Sequence, residues 1–173
     1  MDNKGAVEVK HAISFKNTTG QPLTTAPATV LSKAEPNNRF LVQGLMKYCR
    51  PGQDATLEIT STNDVQVNIS VKSEKTEEQE MHPNNINIIV STLHNCEVVL
   101  VNYKQESVKC IVKHSLNGVL TVSDPEVKSK NEKFVSSYDY NPLAKYNWEV
   151  NVNPKETNKI VFSYISKERI YKI

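Results

Sequence analysis

The chain of 173 residues carries 21 Lys and Arg against 19 Asp and Glu, which gives a formal net charge of +2 at pH 7. This near balance argues against a nucleic-acid-binding protein, which would need a basic face or stripe. Apolar residues make up 38% of the chain, which excludes a disordered protein, and no apolar run approaches the ~20 residues of a membrane-spanning helix. We therefore expect a globular protein that does not bind nucleic acid or insert into a membrane.

Alternating apolar and polar residues predict β-strands along most of the chain. Residues 6–16 (AVEVKHAISFK) begin the pattern, with Val7, Val9, His11, Ile13 and Phe15 on one face. Residues 54–61 (DATLEITS) continue it, with Ala55, Leu57 and Ile59 facing inward, and residues 64–75 (DVQVNISVKSEK) place Val65, Val67, Ile69 and Val71 inward. No window of helical length has sustained 3.6-residue periodicity. The sequence therefore predicts an all-β protein.

Residues 17–27 lie between two predicted strands and contain Asn17, Gly20 and Pro22. Asn and Gly tolerate a left-handed backbone and Pro fixes the direction of exit, so this segment is predicted to be a turn that re-aims the chain. A ligand-binding loop is the alternative, because loops often carry function.

Two pairs of apolar runs in the second half predict β-hairpins. Residues 96–103 (CEVVLVNY) and 108–116 (VKCIVKHSL) form the first pair, and residues 146–153 (YNWEVNVN) and 159–166 (KIVFSYIS) form the second. With about eleven or twelve short strands, the pattern is typical of an antiparallel β-sandwich with an immunoglobulin-like C-terminal half. No clear internal repeat is visible.

A domain boundary is predicted in residues 72–85 (KSEKTEEQEMHPNN), where charge is dense and Pro83 interrupts strand pairing. The predicted units are residues 1–80 and 81–173. The alternative is a long charged hairpin within one domain.

Four sequence stretches together resemble a known family. They are HAISFKNTTGQPLTTAPATVL, VQGLMKYCRPGQDATLEIT, DVQVNISVKSEK and NPLAKYNWEVNVNPKETNKIVFSY. The series is similar to the C-terminal β-rich region of the mucoidy-inhibitor A-like proteins over about residues 8–166. Lys155 and Glu156 replace a Pro-Gly-type turn of that family. The resemblance implies a β-sandwich module of unknown function and no established chemistry.

Motifs of catalysis and cofactor binding are absent from the sequence: it has no Gly-x-Ser-x-Gly elbow, P-loop or His-Glu-x-x-His. We therefore expect no enzymatic activity and no cofactor. In the first predicted hairpin, His94, Cys96 and His114 would approach one another and offer zinc-ligand types, but they fall short of four ligands, so no metal is expected. Cys49 lies beside the cation Arg50, which can favour the reactive thiolate form, so Cys49 is a candidate reactive thiol.

The three cysteines are an odd number, which does not suggest a disulfide-stapled domain. The first ten residues lack the apolar core of a signal peptide. Together these features favour free thiols and a cytoplasmic location.

Aromatic residues near the C-terminus suggest both a core and a contact surface. Trp148 is predicted to anchor the core of the C-terminal half, and the strand after it is predicted to supply the apolar partner face with Ile160, Phe162 and Tyr164. Tyr138, Tyr140 and Tyr146 bracket residues 139–145 and are candidates for an exposed contact surface. The predicted function is a non-enzymatic module that binds protein partners through strand edges or this tyrosine-bearing loop. The alternatives are a carbohydrate- or cell-envelope-binding module and part of a hydrolase completed by a missing region.

Overall fold

The computed structural model describes residues 9–33, 39–61, 63–82, 85–134 and 140–171. These residues form eleven β-strands and no helix, so the predicted all-β class is confirmed. Among them, no helical segment has the length and hydropathy needed to cross a membrane. The chain divides into two compact units between Asn63 and Asp64, called here the N-terminal and C-terminal units.

The N-terminal unit contains two antiparallel sheets of two strands each, β1 with β4 and β2 with β3. Its buried apolar side chains are small or few: Cys49, Ala55 and Leu57 are at most 7% exposed. The predicted inward face of β4 is thus confirmed, whereas Phe15 on β1 is 37% exposed. The strands are β1 (Lys10–Lys16), β2 (Ala26–Ser32), β3 (Arg39–Met46) and β4 (Asp54–Ser61).

The C-terminal unit contains seven strands in two antiparallel sheets. One sheet has the order β5-β6-β11-β8 and the other has the order β7-β10-β9. The strands are β5 (Val65–His82), β6 (Asn85–Asn102), β7 (Val108–Asn117), β8 (Val119–Asp124), β9 (Ser129–Lys133), β10 (Leu143–Val152) and β11 (Thr157–Tyr171).

Both predicted hairpins of this unit are wrong. Strand β6 pairs with β5 and β11, while β7 pairs with β10. Strand β10 pairs with β7 and β9, while β11 pairs with β6 and β8. The connections at residues 103–107 and 153–156 therefore lead from one sheet to the other. Loop length and alternation are the same for a hairpin and for such a crossing, so the local sequence does not distinguish them.

The charged residues that suggested a domain boundary lie on strand β5. The β5–β6 ladder runs without interruption from the Val65–Asn102 pair to the His82–Asn85 pair. The two compact units divide at residues 63 and 64, whereas the sequence suggested residues 80 and 81. The reason is that a run of Lys and Glu is typical of an exposed edge strand as well as of a linker.

The core of the C-terminal unit is built from buried side chains of both of its sheets. Trp148 on β10 is fully buried, and its ring stacks on Phe162 of β11 with ring centroids 5.0 Å apart. Its indole Nε1 donates a hydrogen bond of 2.8 Å to Ser123 Oγ, so the polar atom of the side chain is satisfied. The prediction that Trp148 anchors this core is confirmed, as is the apolar face formed by Ile160 and Phe162.

A buried asparagine holds one inter-sheet crossing in each unit. In the N-terminal unit, Asn17 is 2% exposed, its Nδ2 donates to the carbonyls of Gln21 (2.8 Å) and Cys49 (3.2 Å), and its Oδ1 accepts from Thr19 N. The predicted turn at residues 17–27 is confirmed: it leads from β1 in one sheet to β2 in the other, and Gly20 adopts a positive φ of 76°.

Asn102 repeats this arrangement in the C-terminal unit. It is fully buried, and its Nδ2 donates to the carbonyls of Glu106 (2.8 Å), Val152 (3.0 Å) and Asn153 (3.2 Å). Its Oδ1 accepts from Lys104 N at 2.9 Å. The bonds reach residues two and four positions ahead, as they do from Asn17, and then cross to the end of a distant strand.

A proline turn completes each crossing. Gln53 N donates to Arg50 O at 3.1 Å around Pro51, and Glu156 N donates to Asn153 O at 3.2 Å around Pro154. The residue after each proline has a positive φ, 78° at Gly52 and 58° at Lys155. Each turn then accepts a backbone bond from its asparagine, Asn17 N to Gln53 O and Asn102 N to Glu156 O. The two units therefore share a structural motif that was not visible as a sequence repeat.

Candidate functional site

The three tyrosines predicted to form a contact surface do not lie in one exposed patch. Tyr146 is fully buried, and its hydroxyl donates to Glu132 Oε1 at 2.5 Å. Burial, reinforced by this bond, raises the pKa of Tyr146 to about 12. Tyr140 is half-buried beside Arg169, whose guanidinium lies 5.0 Å from the ring centroid and bonds to the hydroxyl. Tyr138 lies outside the described residues.

Tyr146 consequently belongs to the core and not to an exposed surface. It lies on β10 beside Trp148, with ring centroids 6.1 Å apart. Its alternation with exposed neighbours was visible in the sequence, but the pattern was equally compatible with a strand-end tyrosine on the surface.

The predicted grouping of His94, Cys96 and His114 depended on the first hairpin, which does not form. His94 stacks on Tyr164 with ring centroids 4.5 Å apart, whereas His114 on the other sheet lies 5.3 Å from the ring of Phe162. Burial lowers the pKa of both histidines. In the described part of the chain, no three His, Cys, Asp or Glu side chains are grouped so that they could hold a metal ion.

His94 makes the contacts closest in type to a catalytic arrangement. Its Nδ1 lies 2.9 Å from Ser73 Oγ and its Nε2 lies 2.9 Å from Ser166 Oγ. Both ring nitrogens thus bind serine hydroxyls, and within the described residues His94 bonds to no carboxylate that would orient it as a general base. The arrangement satisfies a half-buried imidazole without supplying a nucleophile–base–acid set.

The three cysteines are free thiols. Burial raises the pKa of Cys96 to about 11 and also raises the pKa of Cys110, so both remain protonated near neutral pH. Cys49 is 3% exposed, with its Sγ 3.4 Å from the carbonyl oxygen of Gln53. These environments are those of structural cysteines rather than of nucleophiles.

The strand edges of the C-terminal unit differ in how they are protected against further pairing. Strand β7 carries two lysines, Lys109 and Lys113, and on β9 four of the five residues are charged or Asn. Strand β8 has six residues, an irregular register with β11, and Pro125 directly after it. Edge lysines, short length, irregular register and proline all disfavour the addition of another strand.

Strand β5 is different, because its first residues, 65–71, lack these protective features. Residues 65–71 (VQVNISV) contain no charge, proline or glycine, and among the described strands β5 is bonded only to β6. Ile69 is 37% exposed and Val71 is 52% exposed. We call residues 65–71 of β5 the open edge. The charged residues of the same strand begin only at Lys72.

The sequence pattern predicts that all four apolar side chains of the open edge face inward, and this prediction is only half right. Val65 is buried and Val67 is half-buried as predicted, whereas Ile69 and Val71 are exposed. Alternation places all four side chains on one face, but only the tertiary packing decides which of them are covered.

Searches against protein-family models, curated proteins and solved structures found no match for this chain. The resemblance to the mucoidy-inhibitor A-like proteins therefore stays a prediction.

Proposed function

We propose that the chain is a non-enzymatic interaction module that binds a protein partner by adding a strand to the open edge. The observation that carries this proposal is an uncharged, exposed strand edge in a unit whose other edges carry protective features. An edge strand presents unpaired backbone N–H and C=O groups, which give affinity to an incoming strand, and exposed side chains such as Val71 give specificity.

The proposal includes a β-sandwich architecture for the C-terminal unit, with an immunoglobulin-like character. Its support is that Trp148 and Tyr146 of one sheet and Phe162 and Leu100 of the other belong to one buried cluster. Seven strands in two antiparallel sheets are also the number typical of a small immunoglobulin-like domain. Such a rigid framework would hold β5 extended for a partner.

Trp148, Tyr146 and His94 do not form the sites that the two alternative functions would need. A carbohydrate-binding surface normally offers an exposed aromatic platform, whereas Trp148 and Tyr146 are fully buried. A hydrolase site would need His94 to act with an orienting acid, and its bonds go to two serines. The resemblance to the mucoidy-inhibitor A-like proteins likewise implies no established chemistry.

The test is affinity capture from native extract with the wild-type chain and two variants as bait, followed by mass spectrometry. Val71→Lys places an ammonium group at the open edge, where it would be desolvated by an added strand. Val122→Lys makes the same substitution on the edge strand β8, where Val122 is 61% exposed, and serves as the matched control.

We expect a partner to be retained by the wild type and by Val122→Lys and lost by Val71→Lys. Circular dichroism of all three proteins shows whether the fold is intact. A partner retained equally by the three folded proteins would place binding elsewhere and contradict the proposed surface.

A further inference from the structure

We infer that the partner at the open edge is a second copy of this chain, so that β5 pairs antiparallel with β5 of the copy. This inference rests on the proposed function, because it names the occupant of the same surface. The two-fold axis would run through the sheet within residues 68–70, and the four-stranded sheets of two copies would join into one continuous sheet.

The open edge is complementary to itself over a narrow range of registers. In a symmetric antiparallel pair, residues directly opposite each other share a face of the sheet. An axis at Asn68, Ile69 or Ser70 sets both exposed apolar residues, Ile69 and Val71, opposite a valine or isoleucine of the copy. An axis one residue further in either direction sets one of them opposite a serine or an asparagine.

Charge is also consistent with this pairing. In each of the three registers, Lys72 lies opposite an acidic or an uncharged residue of the copy, never opposite a cation. Like charges directly opposite each other would destabilise a strand pair, so the absence of such a clash for Lys72 is required for self-association.

A second copy explains two features that a different partner leaves unexplained. Recognition of a different protein commonly uses charged groups for steering and specificity, and the open edge has none. Self-pairing would also cover both open edges, while β7, β8 and β9 carry protective features against further addition. The assembly would therefore stop at a closed two-fold dimer rather than extend into a filament.

The experiment is sedimentation velocity of the full chain over a range of concentrations, with the wild type, Val71→Lys, Ile69→Lys and Val122→Lys. We expect a reversible monomer–dimer equilibrium whose dissociation constant rises about tenfold or more in each open-edge variant, since each dimer would hold two buried ammonium groups. Val122→Lys should match the wild type. Two variants are used so that misfolding of one, detected by circular dichroism, leaves the other informative.

Three positions of β5, Asn68, Ile69 and Ser70, then test the register. Cysteine at each of them in turn (Asn68→Cys, Ile69→Cys, Ser70→Cys) should form an intermolecular disulfide under mild oxidation only where the axis lies at that residue, because only a residue on the axis lies directly opposite its own copy. Glu97→Cys, on the neighbouring strand β6, should form none.

A chain that is monomeric at every soluble concentration would overturn the inference. If such a monomer still captures a different protein that Val71→Lys loses, the proposed function stands and only the identity of the partner is wrong. If it captures none, both fail. A dimer that persists in Ile69→Lys and Val71→Lys overturns the inference, since the copies would then meet at another surface.

Discussion

The N-terminal and C-terminal units use the same asparagine-centred crossing around very different cores. Asn17 and Asn102 each bond residues two and four positions ahead and a carbonyl far along the chain, that of Cys49 for Asn17 and that of Val152 at the end of β10 for Asn102. Six positions before the turn proline, however, the N-terminal unit has Leu45, which is 63% exposed, and the C-terminal unit has Trp148, which is fully buried.

This difference shows that the path of the chain and the stability of a unit depend on different residues. Hydrogen bonds of a buried asparagine specify where the chain crosses between sheets, because each bond requires one particular backbone geometry. Burial of large side chains supplies most of the stability, because hydrophobic stabilisation grows with the apolar area removed from water. The N-terminal unit keeps the first feature with a much smaller share of the second.

The largest expected effect is that of removing the aromatic core. Trp148→Ala should destabilise the C-terminal unit by about 3–5 kcal/mol, since it leaves a large cavity beside Phe162. Leu45→Ala, at the corresponding position of the N-terminal unit, should change stability by less than about 0.5 kcal/mol. Hydrogen–deuterium exchange by mass spectrometry reads both units in the full chain. If the two variants lost protection against exchange equally, the described difference between the cores of the two units would be contradicted.

The next largest loss of stability is expected from replacing the two buried asparagines. Asn102→Asp replaces the Nδ2 donor with an oxygen that faces three carbonyls, and should cost about 2–3 kcal/mol because buried acceptors lose their donor. Asn17→Asp should cost less, since its Nδ2 bonds two carbonyls. Urea denaturation followed by exchange protection measures both, with exposed Asn151→Asp as the control. If Asn102→Asp behaves like that control, the crossing does not depend on its side chain.

A smaller effect is expected at the two proline turns. Lys155 has a φ of 58°, a conformation that costs a side chain roughly 1–2 kcal/mol but costs glycine nothing. Lys155→Gly should therefore stabilise the C-terminal unit by about 1 kcal/mol after the added flexibility of the unfolded chain is counted. Gly52→Lys should destabilise the N-terminal unit by a similar amount, although no atom lies within 4 Å of the added Cβ. Changes of the same sign in both variants would refute this explanation.

The smallest expected effect is a dependence of the stability of the C-terminal unit on pH. Burial lowers the pKa of His114 below its ordinary value of 6.5, so the unfolded chain takes up the proton first as the pH falls. Stability should thus be greatest above pH 6.5 and should decrease below it. His94 contributes in the same direction, because burial lowers its pKa as well.

Trp148 is the one tryptophan of the chain, so its fluorescence reports unfolding of this unit. The loss of stability between about pH 7.5 and pH 5.5 should be smaller in His114→Phe than in the wild type. His11→Gln, at an exposed histidine of the N-terminal unit, should leave that loss unchanged. An undiminished loss in His114→Phe would mean that His114 does not contribute.

Individual strands were predictable because alternation depends only on neighbouring residues. The strand containing Trp148 and its partner face with Phe162 followed directly from period-2 patterning, as did the inward side chains Ala55 and Leu57 of β4. The turn at Gly20 was predictable for a similar reason, since glycine favours a left-handed backbone. Each of these features is encoded within a few consecutive positions.

Strand partners and exposure could not be predicted in the same way. The sequence by itself determined the all-β class, the positions of several strands and the core role of Trp148, because these depend on local propensity and apolar periodicity. Only the tertiary structure decided that β6 and β7 lie in different sheets, that His94 and His114 face different neighbours, and that Ile69 and Val71 are left exposed. These outcomes depend on pairing and packing between residues far apart in the chain, which no local pattern encodes.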